Sequence, residues 1–171
     1  MIDTKSEKLD WIIVVDDDVA NLMMAGNIMS RNGMRVTALK SGKALIDYIE
    51  ANDTPDLCLL DIRMPDMNGF EALTALRNTE KGKDLPVIFL TADDSDRTEA
   101  KGLSLGAMDF IRKPFVPEVL VLRVRHIIDL VRLQRNFARV RDELENGKGT
   151  KFDSELVDII LKMLDEGTMK E

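Results

Sequence analysis

Cysteine and histidine are almost absent from this sequence of 171 residues, which has one copy of each, Cys58 and His126. A single cysteine excludes an intramolecular disulfide, and its place inside an apolar run indicates a buried core residue in a reducing compartment. No apolar run approaches the roughly 20 residues that a membrane helix needs. The first ten residues contain no apolar segment typical of a signal peptide. We therefore expect a cytoplasmic protein with no membrane contact.

Positive charge is in deficit. The chain has 24 Lys and Arg against 31 Asp and Glu, a formal net charge of −7, which disfavours non-specific binding to nucleic acid. Apolar residues make up 44% and charged residues 32% of the chain, a mixture typical of globular proteins. The length suits one domain of common size plus an appendage.

Five short apolar runs stand out in the first two thirds of the chain. The first, third and fourth are almost continuously hydrophobic, which is typical of strands buried on both faces. Segments of helical length separate the runs. This repeated alternation predicts an α/β fold with a parallel sheet, right-handed crossovers and helices on both faces. The runs are WIIVV (11–15), MRVTAL (34–39), LCLLD (57–61), PVIFL (86–90) and MDFI (108–111).

The segment after the first run illustrates the helical pattern. Val19, Leu22, Ala25 and Met29 fall on one helical face, which predicts that all four side chains point into the core. Gly33 is placed to end this helix. Similar spacing follows the second, third and fourth runs.

Polar residues follow four of the expected strands. Asp16 and Asp17 come after the first, Asp61 ends the third, Thr91 ends the fourth and Lys113 lies just beyond the fifth. Chemistry in such sheets collects at the carboxyl ends of the strands, so we expect these groups to be neighbours. Clustered carboxylates repel unless a cation joins them, and a few hard oxygen ligands suit Mg²⁺. With an ammonium group and a hydroxyl added, the pattern predicts a phosphoryl-transfer site.

Each of these polar residues also has an ordinary structural explanation. An aspartate at a strand end, such as Asp18, commonly caps the following helix. A threonine at a strand end is unremarkable, and a lysine before a proline is usually a solvated loop residue. The coincidence of all these groups at one edge favours the functional interpretation.

Two protein families place a nucleophilic aspartate at such an edge. In the haloacid-dehalogenase-like phosphatases the nucleophile opens an hhhhDxD motif, which IIVVDDD fits with Asp16 as nucleophile and Asp18 as acid/base. That family also needs an acidic pair closing a further strand after the lysine. No such strand is expected after Lys113, so the order of the residues disfavours a phosphatase.

The sequence closely resembles the receiver domain of bacterial two-component response regulators. The matching residues are Asp16–Asp17 after IIVV, Asp61 in LLDIRMPDMNG, Thr91–Ala92 after VIFL and Lys113–Pro114 in DFIRKPF. The separations of 44 residues from Asp17 to Asp61, 30 to Thr91 and 22 to Lys113 are similar to those of the family. The resemblance covers residues 9–130. It implies a flavodoxin-like, doubly wound (βα)5 fold with strand order 2-1-3-4-5.

The resemblance implies that Asp61 accepts a phosphoryl group from a phosphohistidine on a sensor histidine kinase or phosphotransfer protein. Asp17, Asp61 and the backbone carbonyl of Arg63 would ligate Mg²⁺, with Asp16 acting directly or through water. Lys113 would pair with Asp61 and then with the phosphoryl oxygens. The chain would not be an enzyme in any wider sense, since it would catalyse only its own phosphotransfer and autodephosphorylation.

The resemblance also implies a conformational switch. Thr91 would move to hydrogen-bond the phosphoryl group, letting Phe110 turn inward and reshaping the face of the fourth helix, fifth strand and fifth helix for a downstream protein. Arg63 and Asp93 each lie two residues beyond a site residue, where they would overhang the path of attacking water. We hypothesise that they form an ion pair that slows autodephosphorylation. Two solvated surface charges are the alternative.

A helical extension, residues 131–171, follows the receiver-like domain. Apolar residues at alternating spacings of 3 and 4 carry the last receiver helix on to about residue 145, which predicts a coiled-coil seam. The sequence NGKGT (146–150) breaks this helix, and a short amphipathic helix is expected over about 153–166 with Asp153 as its N-cap. The seam consists of Leu130, Leu133, Phe137, Val140 and Leu144.

The extension shows no sign of an output activity. It weakly resembles the closing segment of HD-type cyclic-dinucleotide phosphodiesterases, but His126 is followed by Ile, so no HD metal site can form. The segment from Val119 to Arg141 is rich in arginine, but no helix-turn-helix follows it, so nucleic-acid contact is disfavoured. We therefore expect a response regulator that acts through protein–protein contact, with a homodimer through the 117–145 helix and the tail as one such contact. A truncated part of a larger regulator with an output domain is the alternative.

Overall fold

The computed structural model describes residues 9–92 and 95–165, in which five strands and six helices follow one another along the chain. The strands are β1 (Trp11–Val15), β2 (Arg35–Leu39), β3 (Leu57–Asp61), β4 (Val87–Thr91) and β5 (Asp109–Arg112). The helices are α1 (Val19–Arg31), α2 (Gly42–Ala51), α3 (Gly69–Arg77), α4 (Asp96–Ser104), α5 (Pro117–Gly147) and α6 (Ser154–Asp165).

The strands form one parallel sheet in the order β2-β1-β3-β4-β5. Val14 of β1 lies beside Ala38 on one side and Leu59 on the other, and Leu60 of β3 lies beside Phe89 of β4. The strands β1, β3 and β4 are buried at every position, because a parallel sheet of this kind is covered on both faces. The predicted flavodoxin-like, doubly wound fold is confirmed.

The ends of α1 follow from side-chain and backbone chemistry. The Asp18 carboxylate accepts a hydrogen bond from the backbone N–H of Ala20 at 2.7 Å, so Asp18 is the N-cap of the helix. After Arg31 the chain turns through Gly33, whose φ of +80° lies in the left-handed region that glycine adopts without strain. The ordinary structural explanation of Asp18 is therefore confirmed.

The predicted inward face of α1 is right except at Val19, whose side chain is 49% exposed. Val19 is the first residue of the helix, and helical side chains lean toward the N-terminus. Its side chain therefore projects past the first turn instead of down onto the sheet. The buried residues of α1 are Leu22, Ala25 and Met29.

The hydrophobic core cluster joins β1, β3 and β4 to α2 and α3. Leu45 and Ile49 of α2 and Leu73 and Leu76 of α3 are almost completely buried against it. Cys58 is also buried, and burial raises the pKa of its thiol far above the usual value, which makes the thiolate inaccessible at neutral pH. The prediction that Cys58 is a core residue is confirmed.

The chain divides into two compact units after Ile128. The second unit contains the remainder of α5, which continues to Gly147, and α6, which follows a short turn. C-terminal helices thus follow the receiver-like fold, as predicted. No helix within the described ranges is long and apolar enough to cross a membrane.

Side-chain contacts join the two helices of the second unit. The guanidinium of Arg141 donates a hydrogen bond to Asp165 at 2.6 Å, and Lys148 donates one to Asp158. Val157 of α6 is buried. The side chain of Asp153 accepts a hydrogen bond from the backbone N–H of Leu156 at 3.0 Å, which is the expected N-cap contact. The second unit is a helical hairpin.

Candidate functional site

The carboxyl ends of four strands deliver polar side chains to one edge of the sheet. Asp16 follows β1, Asp61 is the last residue of β3, Thr91 is the last residue of β4, and Lys113 directly follows β5. Asp16, Asp61 and Thr91 are buried, with 0%, 4% and 2% of their surfaces exposed. Buried polar groups of this kind need partners, and Lys113 is a partner of both Asp16 and Asp61.

Lys113 joins the two buried carboxylates. Its ammonium group donates a hydrogen bond to Asp16 Oδ2 at 2.6 Å and another to Asp61 Oδ1 at 2.8 Å. Burial alone would lower the pKa of Lys113, but the hydrogen bonds to Asp16 and Asp61, together with the negative charges of these residues, outweigh burial and raise it. The lysine therefore remains charged, and it compensates part of the negative charge at the edge.

At Asp61, by contrast, burial is the largest effect and sets the direction of the pKa shift. Desolvation raises the pKa of the Asp61 carboxyl above its usual value, although the hydrogen bond from Lys113 opposes this effect. The neighbouring charge of Asp16 adds to the increase, and a backbone hydrogen bond from Arg63 opposes it. Asp61 thus carries a carboxylate whose charge is incompletely compensated by the protein alone, which favours a further cation at this position.

Asn21 is a site neighbour that the sequence analysis did not identify. Its Nδ2 donates a hydrogen bond to Asp16 Oδ1 at 3.3 Å, and the backbone N–H of Asp18 donates to the same oxygen at 2.9 Å. Both carboxylate oxygens of Asp16 are therefore hydrogen-bonded. Asn21 could have been identified from the sequence because it lies near the start of α1, which begins directly after the acidic residues.

The three carboxylates suit a hard divalent cation. Asp16, Asp17 and Asp61 each offer a carboxylate oxygen, and these oxygens lie within 4.8 Å of one another. Asp17 is exposed while the other two are buried, so one side of the cluster is open to solvent. Oxygen ligands that are few in number and leave room for water are those that Mg²⁺ accepts. The acidic cluster predicted from the sequence is therefore present, and its chemistry fits Mg²⁺.

The loop after Asp61 passes very close to the strand. A β-carbon on Gly69 would lie only 2.4 Å from the backbone oxygen of Asp61, so only glycine fits at this position. The backbone N–H of Gly69 donates a hydrogen bond to Ile62 at 2.9 Å, which closes the loop. Asp66 within it has a φ of +66°, an uncommon conformation for a residue other than glycine. This tight loop holds Asp61 at the end of its strand.

Phe110 lies inward in the structure, with 8% of its surface exposed. Its ring packs on Phe89 of β4, the ring centroids being 5.5 Å apart. Gly102 of α4 makes room for this position, because a β-carbon there would lie 2.4 Å from Phe110 Cζ. Phe110 was expected from the sequence but Gly102 was not, because nothing in the local sequence shows that α4 reaches β5 at this glycine.

The hypothesis of an ion pair between Arg63 and Asp93 stays a prediction, because Asp93 lies outside the described residues. Arg63 is exposed.

Comparison with known proteins decides between the two families considered. A family model described as the response regulator receiver domain matches residues 12–125, more than half of the chain. The chain belongs to the receiver-domain family. This membership favours the receiver over the haloacid-dehalogenase-like phosphatases.

Relatives with curated names agree with this assignment. The receiver matches response regulator MprA of Mycolicibacterium vanbaalenii with 41% identity over 117 residues, which cover 68% of this chain and 49% of that protein. MprA of Mycobacterium avium gives 41% identity over the same length, covering 50% of that protein. The chain therefore spans about half the length of the curated relatives it matches.

Solved structures share the fold of the receiver. Chemotaxis protein CheY4 of Vibrio cholerae is 26% identical with a TM-score of 0.67, covering 70% of this chain and 99% of that one. A CheY-like response regulator receiver domain protein of Methanospirillum hungatei is 28% identical with a TM-score of 0.68, covering 74% of this chain and 99% of that one. The strand order of the sheet and these similarities support the same fold.

Proposed function

We propose that this receiver accepts a phosphoryl group on Asp61 from a phosphohistidine of a sensor histidine kinase or phosphotransfer protein. The observation that carries the proposal is the position of Asp61, which ends β3 beside Lys113 and within the cluster of three carboxylates. A carboxylate oxygen of Asp61 would attack phosphorus while the bond from phosphorus to the imidazole nitrogen breaks. The products are an acyl phosphate on Asp61 and a free histidine on the donor.

We assign Asp17, Asp61 and the backbone carbonyl of Arg63 as the groups that hold Mg²⁺, with Asp16 contributing directly or through water. When bound, Mg²⁺ supplies positive charge against the carboxylates and the transferring phosphoryl oxygens. The Lys113 ammonium supplies a second positive charge, since it already lies 2.8 Å from Asp61. It would transfer part of its hydrogen bonding from Asp61 to the phosphoryl oxygens as they arrive.

Thr91 and Phe110 form the proposed switch. Thr91 ends β4, which pairs with the acceptor strand β3, and its hydroxyl would move to hydrogen-bond a phosphoryl group on Asp61. Phe110 would respond to the position of Thr91, and the α4–β5–α5 face would change with it. A cavity of about 450 Å³ is lined by Phe110, Leu103 and Val119 on this face, which offers a downstream protein a surface that depends on the ring.

The receiver domain would cover residues 9–130 and the helical extension residues 131–171. In this proposal the chain has no catalytic action on other substrates, works in the cytoplasm, and signals through a downstream protein or a second copy of itself. Arg63 and Asp93 would modulate the lifetime of the acyl phosphate. Because the chain spans about half the length of its curated relatives, a second candidate is one part of a longer regulator whose output lies elsewhere.

The proposal is tested by mixing the protein with acetyl phosphate and Mg²⁺ and measuring its intact mass. We expect the mass of one phosphoryl group to be added, with no addition in EDTA or in Asp61→Asn. Asp18→Asn is the matched control, because Asp18 caps α1 and asparagine caps helices equally well; it should be phosphorylated normally. Phosphorylation of Asp61→Asn, or multiple turnover of a generic phosphomonoester by the wild type, would contradict the proposal.

A further inference from the structure

The helical hairpin of the second unit has an apolar stripe that α6 does not cover. Asp165, the last residue of α6, meets Arg141 of α5, so α6 lies beside only the distal part of α5. The preceding part of α5 is exposed at every position from 132 to 140. Leu133, Phe137 and Val140 are 53%, 56% and 47% exposed and lie at spacings of 4 and 3. We call these three residues the α5 stripe.

A second apolar stripe lies on α6. Val157 is buried, whereas Leu156 and Ile159 are 54% and 56% exposed. Leu156 and Ile159 are three residues apart and therefore neighbours on the helix surface. We call these two residues the α6 stripe. Exposed apolar residues that cluster in this way mark surfaces that contact other molecules.

The charge around the two stripes differs in sign. Residues 130–141, the basic stretch, contain four arginines and no acid. Residues 142–158, the acidic tip, contain six acids and two lysines, a net charge of −4. In the described part of the chain Arg135 and Arg139 form no ion pair, and neither do Glu143 and Glu155. The basic stretch and the acidic tip of the hairpin thus carry net charges of opposite sign.

We infer that two copies of this chain associate through their hairpins in an antiparallel arrangement. The α5 stripe of each copy would lie against the α6 stripe of the other, which places each basic stretch beside the acidic tip of its partner. A two-fold axis makes both contacts identical, and the four helices would form a bundle with a shared apolar centre. A parallel pair would instead place basic stretch against basic stretch, which is unfavourable.

Association through the hairpins does not depend on phosphotransfer at Asp61. The stripes and charges belong to the second unit, so we expect association of the full chain without Mg²⁺ or a phosphodonor. The variant Asp61→Asn should associate as the wild type does. Loss of phosphorylation and loss of association can therefore be distinguished by separate variants.

The test is sedimentation velocity of the 171-residue chain across a range of concentrations. We expect a monomer–dimer equilibrium that weakens with added salt, because exposed opposite charges contribute to it. Arg135→Glu combined with Arg139→Glu should raise the dissociation constant about tenfold or more. Glu143→Lys combined with Glu155→Lys should do the same. All four side chains are exposed, and circular dichroism should show that each variant keeps its helices.

Mixing the two charge-reversed variants tests whether basic stretch and acidic tip meet, because each variant alone is weakened only in an antiparallel pair. In an antiparallel pair the two new glutamates of one variant would lie beside the two new lysines of the other, and the second contact would keep the wild-type basic stretch and acidic tip. We expect the mixture to regain the affinity of the wild type. Arg31→Glu combined with Lys40→Glu is the control for the arginine reversal. It changes the net charge by the same amount, but in the first unit, and should leave association unchanged.

A third variant tests the apolar contact. Phe137→Gln removes the central side chain of the α5 stripe without touching any charge, and it should also abolish the dimer. A wild-type protein that stays monomeric at every concentration would overturn the inference. So would an arginine-reversed variant that associates as well as or better than the wild type, which is the result for a parallel pair.

Discussion

Gly102 of α4 lies so close to Phe110 of β5 that a β-carbon at residue 102 would stand 2.4 Å from the tip of the phenyl ring. The same added carbon would lie 3.0 Å from the ring of Phe89. The inward position of Phe110, and with it the shape of the α4–β5–α5 face, therefore depends on a residue without a side chain.

Gly102→Ala should force the Phe110 ring out of its position and destabilise the protein by about 1–3 kcal/mol, the usual cost of overpacking a core. Gly26→Ala is the matched control. Its added carbon would meet only Val36 Cγ1 at 3.8 Å, so it should stabilise α1 by about 0.5–1 kcal/mol. Urea denaturation measures both changes. Equal effects of the two substitutions would show that Gly102 does not hold space for the ring.

The positive φ of Asp66 gives a second stability prediction. At a φ of +66° a β-carbon is strained by about 1–2 kcal/mol, whereas glycine is not. Asp66→Gly should therefore be more stable than Asp66→Ala by about 1 kcal/mol. Thermal and chemical denaturation compare the two variants directly. If Asp66→Ala were the more stable of the pair, the left-handed conformation of this residue would be wrong.

Mg²⁺ should stabilise the wild-type protein, because the folded chain brings together three carboxylates that the unfolded chain separates. At a free concentration ten times the dissociation constant, the gain is about 1.4 kcal/mol in the free energy of unfolding. Asp61→Asn and Asp17→Asn should lose most of this gain, and Asp53→Asn, an exposed acid elsewhere, should keep it. An equal increase in melting temperature for all four proteins would contradict binding at the cluster.

The raised pKa of Asp61 predicts a pH dependence in Mg²⁺-free buffer. As the pH rises above the ordinary value of 3.8, the unfolded chain releases the Asp61 proton before the folded chain does. The folded state therefore loses stability as the pH rises through this interval. Asp61→Asn lacks this loss, so its stability relative to the wild type should increase from pH 4 upward and then level off. Chemical denaturation over this range measures it; a difference that is constant with pH would contradict the burial of a charged Asp61.

Much of the site could be predicted because it depends on the ends of strands. Asp16, Asp61, Thr91 and Lys113 each follow an apolar run, and parallel strands bring such positions to one edge whatever the helices do. The sheet order came from the family resemblance and not from the apolar pattern alone. The resemblance also supplied the specific roles of these residues, which composition and spacing do not contain.

The features of the fold and the site that were not predicted depend on contacts that local sequence does not encode. The hydrogen bond from Asn21 to Asp16 and the fit of Phe110 beside Gly102 need the relative positions of separate elements. Val19 was assigned to the buried face because helical periodicity ignores where a helix begins. The exposed α5 stripe was expected as part of a seam, but the position at which α6 ends beside Arg141 depends on how the two helices meet.

The central claim is that Asp61 carries the phosphoryl group, and trapping the acyl phosphate tests it most directly. Borohydride reduces an aspartyl phosphate to homoserine, which peptide mass spectrometry locates by residue. After incubation with acetyl phosphate and Mg²⁺, we expect homoserine at residue 61, and none when Mg²⁺ is removed. Homoserine at Asp16 or Asp17, or a phosphorylated protein in which residue 61 remains aspartate, would contradict the assignment.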